Sequence, residues 1–459
     1  LVRVAQLRAM LAGRVVCNVS SSSVGGGVAE MVRSLLAYAR GAGVDTRWMI
    51  LEAPPPFFRI TKRLHNAIHG SAGDGSPLGD DERRVYEAVA AENAAHLAAM
   101  VRAGDVVIVH DPQPAGMIPV LVRTGARVVW RCHIGHDRVD EEVERGWRFL
   151  LPYVAPADAY VFTRAAYVPA ALAAARAAII PPSLDPFSAK NQPLTEEAVR
   201  AILRRTGICE APATGAEASL FVREDGTPGR VDRAAEVLRD GPAATWETPL
   251  VVQVSRWDRL KDFVGVMHGF TRIDAAALHG AVLLLAGPSA RSVSDDPEGA
   301  AVFEETVAAW RELPDEARRR VQLVELPTAD VDENGAIVNA LQRHATVIVQ
   351  KSLHEGFGLT VTEAMWKGRP VVASAVGGIR DQLDDGAQGL LLADPRDLDG
   401  LAAALARLLG DPALCRRMGE AGQARVRDRY LGIDSLLRYG GLIERLDAAA
   451  LTPEAPAAR

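Results

Sequence analysis

The segment "HEGFGLTVTEAM" (residues 354–365) places two carboxylates, Glu355 and Glu363, eight positions apart around a turn that contains glycines. The run before it, "TVIVQ" (346–350), is apolar and β-branched, and the run after it begins a segment of helical character. The segment is therefore predicted to be a strand-to-helix turn at the carboxyl edge of a parallel sheet. Folds of this kind bind their ligands at that edge.

Two interpretations of this turn remain open. Thr360 and Glu363 match the S/T-x-x-E capping box, which predicts that the helix begins near Val361 and that Glu363 caps it. Alternatively, the backbone amides from Gly356 onward and the positive end of the helix dipole bind an anion, and Gly358 lets a diphosphate approach the backbone closely. Carboxylates repel such an anion unless they face hydroxyl donors, as in a sugar. The second interpretation predicts a site for a sugar joined to a diphosphate.

Short β-branched runs alternate with helical segments along the chain, which predicts two doubly wound α/β domains with mostly parallel sheets. The predicted strands lie at residues 14–19, 46–51, 105–110, 127–132 and 159–163, and then at 250–255, 281–287, 321–326, 346–350, 370–374 and 389–393. The proline-rich run "IIPPSLDPFSAKNQP" (179–193) between the two sets is interpreted as a linker, with a hinge near residue 185.

These patterns predict an N-terminal domain over residues 1–185 and a C-terminal domain over 186–434. The periodic run "SLLRYGGLIERLD" (435–447) is expected to cross back to the first domain. Residues 209–249 carry glycine, proline and mixed charge without an apolar stripe, and they are interpreted as a surface insertion. Residues 448–459 are expected to form a disordered tail.

The composition bounds the partners and the compartment. The chain has 459 residues, is 48% hydrophobic and carries a net charge of −6. This charge disfavours nucleic acid and anionic membranes as partners, and no window approaches the roughly 18 apolar residues of a membrane span. The four cysteines show no C-x-x-C pairing and no histidine at metal-ligand spacing, which argues against structural zinc and predicts a reducing, cytoplasmic location.

Cations and glycines follow other predicted strands. Arg256 and Lys261 in "VSRWDRLKD" (254–262) come directly after a strand, so both can lie at the same carboxyl edge and pair with phosphate oxygens. An ordinary solvated turn would explain them equally well. The glycine run 25–27 follows the first strand, but it does not fit G-x-G-x-x-G with an acid about twenty residues on, which disfavours a nicotinamide site.

A histidine follows a further strand, in "RCHIGHD" (131–137). His133 can project to the ligand edge, although a lone histidine is more often structural than catalytic. His136, three residues on, is an equal alternative.

Taken together, the E-x7-E pattern, the pair Arg256 and Lys261, and the glycine-rich first turn resemble the retaining glycosyltransferases of the GT4 family. The resemblance covers nearly the whole chain except 209–249 and the tail. The strings "VGGGVAEMVRSL", "FFRITKRLHNAIHG", "HDPQP", "WRCHI", "IIPPSLDP", "DDPEG" and "HEGFGLTVTEAMWKGRPVVASAVGGI" are similar to the trehalose synthase type and to its relative trehalose phosphorylase. The resemblance implies a GT-B fold, in which two Rossmann-like domains face each other across a cleft.

The resemblance also implies residue roles. Glu363 would hold the ribose hydroxyls, Glu355 the hydroxyls of the transferred glucose, and Arg256 with Lys261 the diphosphate. The implied donor-binding set is Gly26, Gly27, Arg256, Lys261, Glu355, Gly358, Leu359, Thr360 and Glu363. The implied acceptor-binding set is Asp111, Gln113, His133 and Asp137, and the implied catalytic set is His133, Arg256, Lys261 and Glu355.

The implied reaction transfers glucose from a nucleoside diphosphate glucose, such as ADP-glucose or UDP-glucose, to free glucose with retention. The leaving phosphate oxygen would take the acceptor's proton, and closure about the linker would exclude water. No Asp-x-Asp metal motif of the usual glycosyltransferase kind is evident, so neither a metal ion nor a cofactor is expected, since two cations and a helix dipole can stabilise the diphosphate. A homodimer is a further expectation.

Three alternatives to this reaction stay open. The same cations could hold inorganic phosphate in a phosphorylase, another acceptor could replace glucose, or the chain could sense nucleotide sugars without turnover. The chain departs from the subgroup pattern in "HIGHD", where Gly135 and His136 stand in place of an acid expected sooner after His133, and in the segment 209–249. The first departure bears on the identity of the acceptor.

Overall fold

A computed structural model describes residues 2–23, 26–212, 219–289 and 297–451. The chain divides into two compact units. The first runs to Ser183 and resumes at Gly432, and the second spans Leu184–Leu431. Each unit combines helices with a largely parallel sheet, which confirms the predicted α/β class.

The described residues of the first unit form a six-stranded parallel sheet with the order β2-β1-β3-β4-β5-β6. Its strands are β1 (Val15–Ser20), β2 (Asp45–Ile50), β3 (Val106–His110), β4 (Arg127–Cys132), β5 (Ala159–Phe162) and β6 (Ala177–Ile179). Its helices include α1 (Val2–Met10), α2 (Gly26–Gly41), α3 (Pro55–Ile68), α4 (Asp80–Ala98), α5 (Ile118–Leu121) and α6 (Glu141–Val154). The edge strand β6 was not predicted, because an alanine-rich run carries little strand signal.

Apolar clusters cover both faces of this sheet, which is why its strands read as continuous hydrophobic runs. In β3, Val107 and Val109 pack on one face, and Val106 and Ile108 pack on the other. The strand order reverses between β1 and β3. Such a switch point opens a crevice at the carboxyl ends of the two strands, where ligands bind in folds of this type.

The described residues of the second unit form a seven-stranded sheet with the order β10-β14-β13-β12-β15-β16-β17. Its strands are β10 (Glu236–Leu238), β12 (Leu250–Val254), β13 (Val282–Pro288), β14 (Val321–Leu326), β15 (Val347–Gln350), β16 (Val371–Ser374) and β17 (Gly389–Leu392). Its helices include α7 (Glu196–Arg205), α8 (Phe263–Thr271), α9 (Pro297–Glu312), α10 (Asp315–Arg318), α11 (Val331–His344), α12 (Leu359–Trp366), α13 (Ile379–Gln382), α14 (Leu398–Gly410) and α15 (Pro412–Arg429). The order of the parallel strands reverses between the neighbours β12 and β15, so this pair forms the switch point.

The segment 209–249 is built into the second unit, so its interpretation as a surface insertion is wrong for the described residues. Short strands pair within it: β7 (Cys209–Glu210) with β11 (Ala244–Thr245), and β8 (Leu220–Val222) with β9 (Pro228–Arg230). Strand β10 extends the main sheet, antiparallel to β14. Phe221 and Val231 are buried. Strands of two or three residues are too short to give the sequence a period, which is why the core contribution was missed. Residues 213–218 lie outside the described part.

The last helix, α16 (Gly432–Leu451), belongs to the first unit. Tyr439, Leu442 and Ile443 pack in the apolar cluster on one face of that unit's sheet, and Asp447 binds the Arg14 guanidinium at 2.6 Å. Residues 448–451 are therefore helical, not disordered as expected, while 452–459 lie outside the described residues. No helix in the described part of the chain is long and apolar enough to cross a membrane.

Candidate active site

Lys261 and Glu355 meet at the switch point of the second sheet. Lys261 ends a short 3-10 turn after β12, Glu355 follows β15, and the Lys261 Nζ lies 2.5 Å from Glu355 Oε2. Only 16% and 12% of the two side chains are exposed. The Ser352 hydroxyl donates to the same carboxylate oxygen at 3.2 Å. The result is a largely buried, hydrogen-bonded ion pair at the edge where this fold type binds ligands.

Helix α12 begins at Leu359, next to this pair, with Gly358 as its N-cap. Gly358 has φ +86°, a left-handed conformation that favours glycine. A Cβ there would also lie 3.1 Å from Ile379 and 3.2 Å from the Glu355 side chain, so close packing favours glycine as well. No side-chain hydrogen bond caps the helix within the described residues. The first amides of α12, at Leu359 and Thr360, therefore present a positive helix end without a side-chain acceptor.

The capping-box prediction is wrong. The helix begins at Leu359 and not near Val361, so Glu363 lies in its second turn and does not cap it. The cause is the left-handed backbone at Gly358, which starts the helix earlier than the Thr360 pattern predicts. The preceding turn is held instead by Gln382, whose amide donates to the carbonyls of Phe357 and Gly358.

Glu363 is buried in a ring of donors. Its Oε1 lies 3.0 Å from Lys190 Nζ, and its Oε2 accepts from Gln342 at 3.3 Å. Burial by itself would raise the pKa of this carboxyl, but Lys190 and Lys367 outweigh it, so the pKa of Glu363 lies below its usual range. Lys190 was not predicted from the sequence, because it lies in the proline-rich run that was interpreted as a linker.

Arg256 is placed differently from Lys261. Its side chain is 69% exposed and pairs with Asp258 at 3.6 Å. Within the described part of the unit, Arg256 forms no hydrogen bond or ion pair with Lys261 or Glu355. A second lysine near Lys261 was missed: Lys351 is fully buried and pairs with Asp262, a residue with φ +49° that caps α8.

In the first unit, four polar side chains form what we call the histidine network: Asn18, His110, His133 and Arg131. The His110 Nε2 lies 2.9 Å from Asn18 Oδ1, and its Nδ1 lies 3.0 Å from His133 Nε2. The Arg131 Nε donates to His133 Nδ1 at 3.3 Å. Of the four, only His133 was singled out from the sequence. The missed signal is a polar residue inside or at the end of an otherwise apolar strand.

Asp111 lies beside this network, immediately after β3. Its carboxylate accepts from the His133 amide at 2.7 Å, and its own amide donates to the Arg131 carbonyl at 2.7 Å. The backbone is left-handed, with φ +65°. Burial raises the pKa of Asp111 to about 7, although the His133 amide and Arg131 oppose the shift.

Among the described residues, the other predicted residues of the first unit form no hydrogen bond or ion pair with this group. Asp137 is exposed and pairs with Arg164 at 2.5 Å, and Gln113 is half-buried. Gly26 and Gly27 open helix α2, while Gly25 lies outside the described residues.

The "HIGHD" departure has a packing reason. A Cβ at Gly135 would lie 2.2 Å from the Tyr167 ring, so no other residue fits without movement. The His136 Nδ1 lies 2.7 Å from the carbonyl oxygen of Arg138, so the His136 side chain is hydrogen-bonded to the neighbouring backbone.

Among the described residues, no group of three or more histidine, cysteine, aspartate or glutamate side chains is arranged to hold a metal ion. This observation does not test whether turnover is independent of metal ions, which stays a prediction.

Comparisons with known proteins agree with the two-unit architecture. Residues 18–169 match the family described as "Trehalose synthase, N-terminal domain", and residues 238–425 match "Glycosyl transferases group 1". The chain is 36% identical over 434 residues to the trehalose synthase of Rubrobacter xylanophilus, covering 93% of this chain and 89% of the relative. It is 34% identical over 436 residues to that of Pyrococcus horikoshii, covering 95% and 91%.

Among solved structures, the chain resembles an α,α-trehalose-phosphate synthase (UDP-forming) from Burkholderia xenovorans in complex with glucose-6-phosphate. The TM-score is 0.67 at 18% identity, over 95% of this chain and 100% of the other. At that identity the similarity concerns the fold alone.

Proposed function

Because the chain belongs to the trehalose synthase family of glycosyltransferases, we propose that it transfers glucose from a nucleoside diphosphate glucose to free glucose, with retention, and makes an α,α-linked disaccharide. The family and the GT-B fold are shown by the relatives. The donor, the acceptor and the stereochemistry are the proposal.

The observation that carries the proposal is the Lys261–Glu355 pair beside the N-terminus of α12. A diphosphate needs cationic and amide donors, and Lys261 with the first amides of the helix supplies both. The transferred glucose needs acceptors for its hydroxyls, and the Glu355 carboxylate is one. A sugar joined to a diphosphate therefore matches the two halves of this site better than either a free sugar or a free phosphate does.

Two residues of the implied donor set need further assumptions. Arg256 is exposed, so its side chain would have to turn toward the diphosphate on binding. Glu363 would bind the ribose hydroxyls only by sharing or exchanging its contact with Lys190. Both remain proposals.

The acceptor is assigned to the first unit, at Asp111 and His133. Both lie at the carboxyl ends of neighbouring strands in that sheet, beside its switch point. The carboxylate of Asp111 can accept a hydrogen bond from a glucose hydroxyl, as carboxylates in sugar sites do.

In the proposed reaction the C1–O bond to the diphosphate breaks while a bond forms from the acceptor oxygen to C1 on the same face. The acceptor's proton passes to a leaving phosphate oxygen. The transition state is oxocarbenium-like, and the charge that develops on the diphosphate is stabilised by Lys261 and the amides of α12.

The test is an NMR product assay with ADP-glucose or UDP-glucose and free glucose, run with a chelator. The expected products are an α,α-linked disaccharide and the nucleoside diphosphate. Consumption of the donor without disaccharide would contradict the proposed acceptor.

A parallel incubation of trehalose with inorganic phosphate distinguishes the phosphorylase alternative. Release of glucose 1-phosphate there, with no use of nucleotide glucose, would replace the proposed function by phosphorolysis. No turnover in either assay would favour a sensor.

A further inference from the structure

The histidine network is built into the switch point of the first sheet. Asn18 in β1 and His110 at the end of β3 are 1% and 2% exposed, although β1 and β3 are otherwise almost wholly apolar. The His110 and His133 rings stack, with centroids 5.3 Å apart and an interplanar angle of 9°. Buried polar groups of this kind are kept only when each has a hydrogen-bond partner, and here every link is within hydrogen-bond distance.

The network has one consistent direction, set by Arg131. A guanidinium only donates, so the Arg131 Nε–H donates to His133 Nδ1 at 3.3 Å and this nitrogen carries no proton. A neutral His133 must then be protonated on Nε2 and donate to His110 Nδ1 at 3.0 Å. His110 is in turn protonated on Nε2 and donates to Asn18 Oδ1 at 2.9 Å. The reverse direction would leave a neutral His133 without any proton.

The charges around His133 also oppose its protonation. A proton on Nδ1 would break the bond from Arg131 and place an imidazolium beside a guanidinium. Among the described residues, the other titratable groups around Arg131 include Asp111, whose carboxylate accepts from the His133 amide, Cys132, and Tyr439 from α16. Burial, with help from Arg131, lowers the pKa of His110 to about 3 and holds the pKa of His133 well below its usual range.

We propose that His110 is a positioning residue: together with Asn18 and Arg131 it holds His133 neutral, protonated on Nε2, and in one ring orientation. Resting on the proposed function, this assigns His133 an orienting role at the sugar site and not that of a general acid or base, because both ring nitrogens are already bonded inside the unit. A neutral ring also avoids repelling the oxocarbenium-like transition state. The proton of the acceptor is then left to the diphosphate oxygen.

The first test is the tautomer, which does not depend on activity. Long-range ¹H–¹⁵N NMR of histidine side chains in the full chain, assigned with a His133→Gln variant, should show His133 protonated on Nε2 and unchanged from about pH 8 to pH 5. A proton on Nδ1, or titration near the ordinary value of about 6.5, would overturn the proposal.

The second test is kinetic. His110→Phe keeps a stacked ring but removes both hydrogen bonds, so kcat should fall about 10- to 100-fold while the donor KM changes little. His110→Gln can accept from His133 and donate to Asn18, so it should recover most of the lost rate. Wild-type kcat in the Phe variant would overturn the positioning role.

Controls separate this role from folding and from the proposed function. His65→Phe removes a histidine of the same unit that contacts His69 and lies outside the network, and it should leave kcat unchanged. If His110→Phe does not fold, Asn18→Ala removes the last acceptor instead and should lower kcat in the same way. If the wild type makes no disaccharide, the proposed function fails, while the NMR pattern still decides the state of His133.

Discussion

At the scale of single residues, Asp111 combines an unusual backbone with an unusual carboxyl. A non-glycine residue with φ +65° costs conformational energy, and such strain is concentrated at functional sites. Two short hydrogen bonds hold it, one from the His133 amide and one to the Arg131 carbonyl, both at 2.7 Å. The surrounding structure thus fixes Asp111 in a conformation that the isolated chain would rarely adopt.

Asp111 should make acceptor use pH-dependent. Burial raises its pKa to about 7, so the carboxylate that is proposed to bind glucose forms only as the pH rises through that value. We expect kcat/KM for glucose to increase across this range, and Asp111→Asn to abolish the increase and to lower kcat/KM about tenfold or more at high pH. Asparagine tolerates the left-handed backbone and keeps the bond from the His133 amide, so the variant should be at least as stable as the wild type, and more stable at high pH, where the buried wild-type carboxylate is ionised. An unchanged pH profile in the variant would remove Asp111 from the acceptor site.

Arg256 and Arg259 form a matched pair for testing the phosphate assignment. Both lie in the turn after β12, with 69% and 55% of their side chains exposed, and Arg259 pairs with Glu305. Arg256→Ala should lower kcat by about 10-fold or more, because its charge would act on the leaving diphosphate, with no change in unfolding free energy. Arg259→Ala should leave kcat intact. Equal kcat in both variants and wild type would show that Arg256 is an ordinary surface cation.

At the scale of secondary-structure elements, the short strands of residues 209–249 matter more than their length suggests. Strand β8 turns Phe221 into the core, where its ring lies under Gly229: a Cβ at Gly229 would be 2.5 Å from the ring. Its neighbour Leu220 faces outward and is 38% exposed. The hairpin therefore has one buried and one exposed face, like any strand on a core.

This alternation gives a test of whether the segment belongs to the fold. Phe221→Ala should lower the free energy of unfolding by about 3–4 kcal/mol, since it leaves a cavity in the core. Leu220→Ala should cost less than about 1 kcal/mol. Chemical denaturation of the two variants measures both. Equal, small losses would restore the interpretation of a surface insertion.

Helix α12 shows how local geometry overrides a sequence motif. The capping-box pattern at Thr360 and Glu363 is present, yet Gly358 adopts a left-handed conformation and the helix starts at Leu359. Glu363 is thereby released to bind Lys190 from a segment 173 residues away. A local sequence motif contains no information about a partner so far away in the chain.

At the scale of the whole molecule, both units contain histidines whose pKa is lowered because they are buried or partly buried. Burial, as the largest cause, lowers the pKa of His110 to about 3 and of His65 and His344 to about 4. Because the folded pKa values lie below the unfolded value of about 6.5, the stability that these groups contribute is fully present above that pH. It is lost as the pH falls from 6.5 toward the folded values.

Acid should therefore destabilise the protein in a defined window. Below about pH 6.5, each such histidine should lower the free energy of unfolding by about 1.4 kcal/mol per pH unit. His110→Gln keeps the hydrogen bonds but cannot titrate, so its stability should fall less steeply by about that amount. Denaturation curves at several pH values provide the measurement. Parallel pH dependence in the variant and the wild type would mean that His110 is not buried and neutral in solution.

Much of the architecture could be predicted because it depends on patterns of apolar residues over a few neighbouring positions in the sequence. Strands β1, β3, β4, β12 and β15 are mostly apolar runs, since both faces of a parallel sheet are buried, and such runs are visible without partners. Strands β6 and β10 were missed because their pairing, and not their composition, makes them strands. Of the candidate site, Lys261 and Glu355 could be placed at one edge because each directly follows a predicted strand.

The sequence by itself determined the α/β class, the strand-to-helix turn around Gly358 and the carboxylates and cations that border it, because these depend on residue type and spacing of a few positions. Only the tertiary structure decided that Glu363 binds Lys190, that the Arg256 side chain is exposed and pairs with Asp258, and that His133 is hydrogen-bonded through His110 to Asn18. The physical reason is that strand order brings together residues far apart in the chain, such as Asn18 and His110 on adjacent strands. Burial then makes their hydrogen bonds obligatory.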